Sequence, residues 1–227
     1  MTDWANTFLF GIYPYVCLTV FLVGSIIRFD REQYSWRSQS SQLLRRRQLT
    51  WGSNLFHVGI LVIFFGHLGG LLTPVAFFDW VGISHGAKQM MAIVVGGTAG
   101  TLCMIGLIML IHRRLFDARI RVTSSFGDIA ILFILFVQLG LGLASIAVSL
   151  NHLDGSEMVR LMSWAQHIVT FRAGAADFAA SVAPIFKVHL VLGMTIFLIF
   201  PFTRLVHIWS APIWYLGRRG YQVVRAR

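Results

Sequence analysis

Acidic residues are scarce in this 227-residue chain: nine Asp and Glu stand against nineteen Lys and Arg, and charged residues make up only 12% of the total. A soluble domain carries about twice that share of charge, so an ordinary hydrated surface is excluded. Cysteine is nearly absent. Cys17 and Cys103 both fall in apolar stretches, and neither C-x-x-C nor C-x-x-C-H occurs. Iron–sulfur ligation and covalent c-type haem within the chain are therefore not expected, and both thiols read as small buried hydrophobes. Linkers and low-complexity tracts are also missing. The N-terminus has no charged n-region followed by a cleavage site, so the chain is expected to be mature from Met1, with its first apolar stretch retained.

Apolar residues fill the space: 56% of the chain is hydrophobic and the mean hydropathy is +0.71. A bilayer core of ~30 Å is crossed by ~20 mostly apolar helical residues. Stretches of that kind run over Thr7–Ile27, Ser53–Leu72, Lys88–Ile111, Gly127–Leu150 and Pro184–Trp209. The expected fold is all-α, an integral membrane five-helix bundle forming one membrane domain over residues 1–227. The longest connection, Asn151–Ala183, is too short for a soluble domain.

A formal net charge of +10 can indicate a nucleic-acid partner, but here the charge tracks topology and none is expected. Arg28, Arg31, Arg37, Arg45, Arg46 and Arg47 follow the first span. Arg113, Arg114, Arg119 and Arg121 follow the third, and Arg218, Arg219, Arg225 and Arg227 the fifth. The intervening segments hold only Lys88, Arg160, Arg172 and Lys187. By the positive-inside rule the N-terminus faces out and the C-terminus faces the cytoplasm.

Local signals mark where the helices start and stop. Ser125-Phe126-Gly127-Asp128 resembles a capping box, Pro184 suits a first helical turn, and Thr73-Pro74 closes the second span. Pro14 and Pro201 should bend the first and fifth spans, leaving carbonyls for neighbouring helices to satisfy. In the long connection, Ser156 can cap a helix whose apolar residues recur at helical spacing from Met158 to Val169. Such a helix lies on the membrane surface or packs on the bundle as a lid.

The chemistry is carried by four histidines inside predicted spans, His57 and His67 in the second, His189 and His207 in the fifth. An ionisable side chain in hydrocarbon is costly unless paired, so each marks a site. At 1.5 Å per residue, His57 and His67 differ in depth by ~15 Å and His189 and His207 by ~27 Å, which rules out pairing within one helix. Because the two spans run in opposite directions, His67 pairs with His189 near the outside and His57 with His207 near the inside. The unequal separations require tilt, a bend near Pro201 or inclined cofactor planes, and their average puts two metals ~20 Å apart. A zinc site would need further ligands that neither depth provides. Haem needs two axial ligands, and two non-covalent, bis-histidine haem b groups are expected. Gly59, Gly66, Gly69, Gly70 and Gly193 would allow close approach of a porphyrin, though glycines also serve helix packing in membranes.

Ordered runs along nearly the whole chain then make a resemblance specific. They include Ile12-Tyr13-Pro14-Tyr15, Ser53-Asn54-Leu55-Phe56-His57, Gly66-His67, Leu72-Thr73-Pro74 and Arg113-Arg114-Leu115-Phe116. Further on come Asp154-Gly155-Ser156-Glu157-Met158, His189-Leu190-Val191-Leu192-Gly193-Met194 and Arg204-Leu205-Val206-His207-Ile208-Trp209-Ser210. In these the sequence resembles the gamma subunit of respiratory nitrate reductases, a quinol-oxidising di-haem cytochrome b. The loop Val75–Ala87 departs from that family in composition. The resemblance implies that the axial ligands fall on His57, His67, His189 and His207, and that quinol binds near the outer haem at Lys88 and Gly66. It implies protons released outside and electrons passed inward to an iron–sulfur beta subunit and a molybdenum-containing alpha subunit on the cytoplasmic face. The location implied is the bacterial cytoplasmic (inner) membrane.

Other readings stay open for several residues. Lys88 without the resemblance would snorkel to the interface. His85, His152 and His167 read as solvated imidazoles, and His112 suits a helix C-terminus. Arg113 and Arg114 either pair with inner-haem propionates or remain solvated at the cytoplasmic interface. Rival functions are a di-haem subunit of a formate dehydrogenase or hydrogenase delivering electrons to quinone, and a haem-free transporter with a histidine proton relay.

Overall fold

A computed structural model describes residues 3–36, 44–211 and Gly217. Met1, Arg37, Arg218, Arg219, Arg225 and Arg227 lie outside the described residues. Among the described residues there is no strand, and five helices are long and apolar enough to span a membrane: Asp3–Arg31, Arg46–Leu72, His85–Phe116, Phe126–Leu150 and Pro184–Phe202. The expected spans are all present, several with polar ends added. The second begins at Arg46 rather than Ser53, because Arg and Gln favour helix and the ladder continues past the apolar stretch.

The third span packs along the second and against the fourth, while the fifth packs on the first and the fourth. Close approach of the second and third spans rests on absent side chains. A Cβ on Gly59 would lie 2.6 Å from the Ala99 carbonyl oxygen and 2.8 Å from the Cys103 nitrogen. One on Gly106 would meet the Phe56 nitrogen and, at 2.7 Å, the Gly52 carbonyl oxygen. Gly59 therefore serves helix packing and not porphyrin approach. Without a hydrophobic drive inside lipid, such backbone-to-backbone packing is a main source of helix association.

The capping box forms as expected: the Ser125 hydroxyl accepts from the Asp128 N–H and the Asp128 carboxylate accepts from the Ser125 N–H, both at 3.2 Å. Pro184 begins the fifth span and Thr73 ends the second. Ser156 does not cap. The helix Ser156–Val169 is entered through Gly155 at φ +78°, a left-handed conformation that suits glycine, and Ser156 is its first helical residue. A Cβ on Gly155 would also stand 2.8 Å from the His85 carbonyl oxygen, so this turn is fitted against the start of the third span.

That helix is a lid on the bundle. Met162, Trp164, Ala165 and Ile168 are buried, and the last three, with Ala175, Ala176 and Ala179, enclose Phe10 of the first span. Its polar groups close open backbone ends. Gln166 donates to the Leu71 and Thr73 carbonyls at 3.1 and 3.0 Å, capping the second span.

Both proline interruptions are resolved by side chains from other elements. Ahead of Pro14 the first span widens into a π-turn over Phe8–Ile12, and the Phe10 carbonyl, four residues before Pro14, accepts the Trp164 indole N–H at 2.9 Å. At Pro201 the fifth span does more than bend, and the expected helix to Trp209 is corrected. The α-helix stops at Ile199, tightens into a 3-10 turn over Phe200–Phe202, becomes extended at Thr203 and resumes as 3-10 over Arg204–Ser210. The Arg28 guanidinium donates to the Pro201 and Thr203 carbonyls at 2.6 and 2.9 Å. Gly24 clears the Pro201 ring, which would lie 2.9 Å from a Cβ there. Val206, Leu205 and Phe200 then pack on Ile131 of the fourth span.

Two outcomes follow from this packing. Gly106→Ala forces the second and third spans apart and should cost about 1–3 kcal/mol, the usual range for overpacking, read as a lower melting temperature of the detergent-solubilised protein. Arg28→Ala removes two charged hydrogen bonds to the fifth span, of roughly 1.5–3 kcal/mol each, along with two to Ser35. It should accelerate amide hydrogen exchange across 204–210 while leaving the second and third spans as protected as in the parent.

Candidate functional site: two histidine pairs between the second and fifth spans

The second and fifth spans scarcely touch through their backbones. They face each other across their histidines. The rings of His67 and His189 have centroids 6.3 Å apart, and those of His57 and His207 6.4 Å apart. Two imidazoles on opposite sides of one metal stand about 6.2 Å apart, from a metal–nitrogen bond of ~2.0 Å and ~1.1 Å from nitrogen to ring centre on each side. Both spacings fit a bis-imidazole haem. Among the described residues, a Cβ on Gly66, Gly69 or Gly70 would meet nothing within 4 Å, so the second span presents open space around His67. No group of three or more His, Cys, Asp or Glu side chains could hold a metal ion among the described residues, so a metal held here must bring further ligands of its own, as a porphyrin does.

The rings are also held as ligands should be. His57 Nδ1 bonds the Ser53 carbonyl at 2.7 Å and His67 Nδ1 the Ile63 carbonyl at 2.8 Å, each one α-turn back. His207 Nδ1 bonds the Arg204 carbonyl at 2.6 Å, three residues back because this segment is a 3-10 helix. A Nδ1–H given to a carbonyl fixes the tautomer and leaves Nε2 as the ligating nitrogen. His189 is the exception. Its polar contact comes from Gln138 of the fourth span, whose Nε2 lies 3.3 Å from His189 Nε2 and 3.1 Å from the His189 carbonyl oxygen.

Lys88 does not snorkel. It is only 4% exposed, and its ammonium donates to the Gly70 carbonyl and to Met162 Sδ, both at 2.9 Å, while lying 3.6 Å from the centre of the Phe78 ring. Gly70 is one turn beyond Gly66 and His67, so the lysine reaches the same end of the second span as the His67/His189 pair. The lid supplies one wall of this pocket through Met162, and the short helix Val75–Val81 supplies another through Phe78.

At the other end, Arg113 and Arg114 are buried, which removes the solvated reading. Arg113 donates to the Leu44 carbonyl at 2.7 Å and Arg114 to the Ser124 hydroxyl at 2.8 Å. Arg114 and Arg204 each lie 3.4 Å from one oxygen of the buried Asp128 carboxylate. This cluster joins the third and fourth spans to the turn carrying His207. In the loop below it, Asp117 is held below the usual carboxylate range by the Ile120 N–H and by Arg45, 2.6 Å away.

The remaining histidines are placed apart from the pairs. His85 meets Asp79 at 3.1 Å, His152 bonds the Val148 carbonyl at 3.1 Å, and His112 stacks on Phe116. His167 is half-buried against Phe178 and not simply solvated. Sequence reasoning passed over Gln138, Met162, Phe78, Arg28 and the Asp128–Arg204 contact. Gln138 and Asp128 were detectable as polar residues at membrane depth; the others depend on which way each helix is turned.

Comparison with known proteins gives the family. The family model described as nitrate reductase gamma subunit matches residues 6–227. The respiratory nitrate reductase 2 gamma chain of Escherichia coli (strain K12) is 54% identical over 227 residues, covering 100% of both chains. The respiratory nitrate reductase 1 gamma chain of the same strain is 53% identical over 223 residues, 98% of each. The nitrate reductase gamma chain of Bacillus subtilis (strain 168) is 41% identical over 219 residues, 96% of this chain and 97% of that one. With a matching family model along almost its whole length and full-length relatives above half identity, the chain belongs to the nitrate reductase gamma subunit family.

Proposed function

We propose that this membrane subunit of a respiratory nitrate reductase oxidises quinol near its outer end and delivers the electrons to its cytoplasmic end. Two haem b groups, when bound, supply one-electron carriers at two depths of the membrane. The observation that carries the reading is the matched spacing of the two histidine pairs, 6.3 and 6.4 Å, between spans that otherwise scarcely meet. His67 and His189 hold the outer group, His57 and His207 the inner one. Family membership sets aside the formate dehydrogenase, hydrogenase and transporter readings.

Lys88 is the donor for quinol. Its ammonium has three donors, and in the structure it is directed by the Gly70 carbonyl, Met162 Sδ and the Phe78 ring. A quinol oxygen that accepts from it loses its proton more readily, because the fixed positive charge stabilises the developing anion. Gly66, with open space beside it, lets the quinol ring come close to His67.

The distribution of arginines supports an orientation with the N-terminus outside and the C-terminus in the cytoplasm. An iron–sulfur beta subunit docks on the basic cytoplasmic face, with a molybdenum-containing alpha subunit beyond it. Arg113 and Arg114, buried near the turn that carries His207, supply positive charge for inner-haem propionates.

Each arm has its own test. His57→Ala or His207→Ala should abolish the inner b-type signal in reduced-minus-oxidised spectra of the assembled complex, and His67→Ala or His189→Ala the outer one. Loss of the same signal from both substitutions on one helix would overturn the pairing. Lys88→Ala should slow quinol-driven haem reduction by at least tenfold, on the order of the ~10²-fold effect of a single positioned proton-transfer group. Both haem spectra and dye-driven nitrate reduction should stay intact. A parent-like rate of haem reduction by quinol would move the site away from Lys88.

A further inference from the structure

We infer that His85, paired with Asp79, is the proton outlet of the quinol pocket, taking up the protons that Lys88 cannot accept and passing them to the outside. The inference rests on the reading of Lys88 as the donor to a quinol oxygen.

When one quinol becomes quinone, two O–H bonds break, two electrons leave one at a time toward the outer haem, and two protons remain to be removed. An ammonium that donates to the quinol oxygen has no lone pair and accepts neither of them. His67 and His189 are read as haem ligands. The pocket therefore needs a further base, close to Lys88 and open to the outside.

The short helix Val75–Val81 and the third span meet at this pocket twice. Phe78 of the short helix lies over the Lys88 ammonium at 3.6 Å, and the next residue, Asp79, reaches His85 at 3.1 Å. His85 stands three residues before Lys88 on the same helix, and side chains so spaced are neighbours, with Cβ atoms ~5–6 Å apart. The first contact is closed from solvent, Lys88 being 4% exposed, whereas the side chains of His85 and Asp79 are 40% and 58% exposed. The pair is the next rung from the buried donor toward the surface.

Its chemistry suits that place. An ionised carboxylate only accepts, so Nε2 of His85 carries the proton of the contact with Asp79 and Nδ1 is left as the basic nitrogen. When Nδ1 takes a proton, the carboxylate stabilises the imidazolium, as in other histidine bases supported by an acid. Imidazole changes charge near neutral pH, so it also gives the proton up again. The titratable groups of the lid are engaged elsewhere: Glu157 accepts the Ala183 N–H at 3.3 Å and meets Arg160, and His167 packs on Phe178. Besides Asp79, the charged and titratable groups around His85 are Lys88 on its own helix and, in the turn that packs on its carbonyl through Gly155, His152 and Asp154.

The test is the assembled complex carrying His85→Gln, which keeps a donor for Asp79 but binds no proton, in stopped-flow haem reduction by quinol at low buffer concentration. The rate should fall on the order of tenfold, less than the ~10²-fold or more of a base in direct contact, because this transfer passes through water. The quinol concentration giving half-maximal rate and dye-driven nitrate reduction should not change. Added imidazole, a diffusible base, should restore the rate in proportion to its concentration. Asp79→Asn, which leaves the base without its stabilising charge, should lose less and recover in the same way, and it decides the matter if His85→Gln does not assemble. A parent-like rate in the assembled variants would overturn the outlet, and so would a slowed rate that imidazole leaves unchanged, which marks a clip that only shapes the pocket. Lys88→Ala measured alongside separates the two readings: a parent-like rate there overturns the quinol site itself, whatever His85 does.

Discussion

Hydrocarbon offers no hydrogen bonds, so every backbone group released inside the membrane must be met by another part of the chain, and this fold is organised around three such meetings. Arg28 takes the carbonyls freed beside Pro201, and Trp164 takes the one freed by Pro14. Lys88 and Gln166 take carbonyls at the end of the second span. Each donor comes from a different element than its acceptor, so the same contacts that remove a desolvation cost also fix one helix against another. The histidines lie in or beside the segments so fixed.

Much of this was legible in the sequence. Hydropathy located all five spans, since a run of ~20 apolar residues has few alternatives. Opposite helix directions and a fixed rise per residue bring His67 to His189 and His57 to His207, as the ring spacings of 6.3 and 6.4 Å bear out. The ends were read less well. Pro201 indicated a bend, but a full break needs an acceptor-rich turn plus a donor positioned to hold it, and nothing near Pro201 announces Arg28. Ser156 looked like a cap because its residue type suits one, whereas Gly155 takes that position through its left-handed backbone.

Rotation about a helix axis was the main thing hidden. Gly59 and Gly66 are seven residues apart, yet one is pressed against the third span and the other faces open space. A glycine pattern alone does not distinguish a neighbouring helix from a flat ligand. Arginine was obscured in a similar way. Arg114 and Arg204 counted as topology signals or motif members, and in the fold they share Asp128, a buried cluster with one positive charge in excess beside the His207 turn.

The loose contact between the second and fifth spans bears on how the molecule is put together. The second and third spans form a tight hairpin through Gly52, Gly59 and Gly106, and the first and fifth are locked by Arg28 and by a Tyr13–Thr195 hydroxyl contact at 2.9 Å. The fourth span packs on both the third and the fifth and ties these halves together on one side. A flat group held by the proposed ligands would therefore act as a rivet across a seam that only the histidine pairs border, tightening the one side of the bundle that helix packing leaves loose.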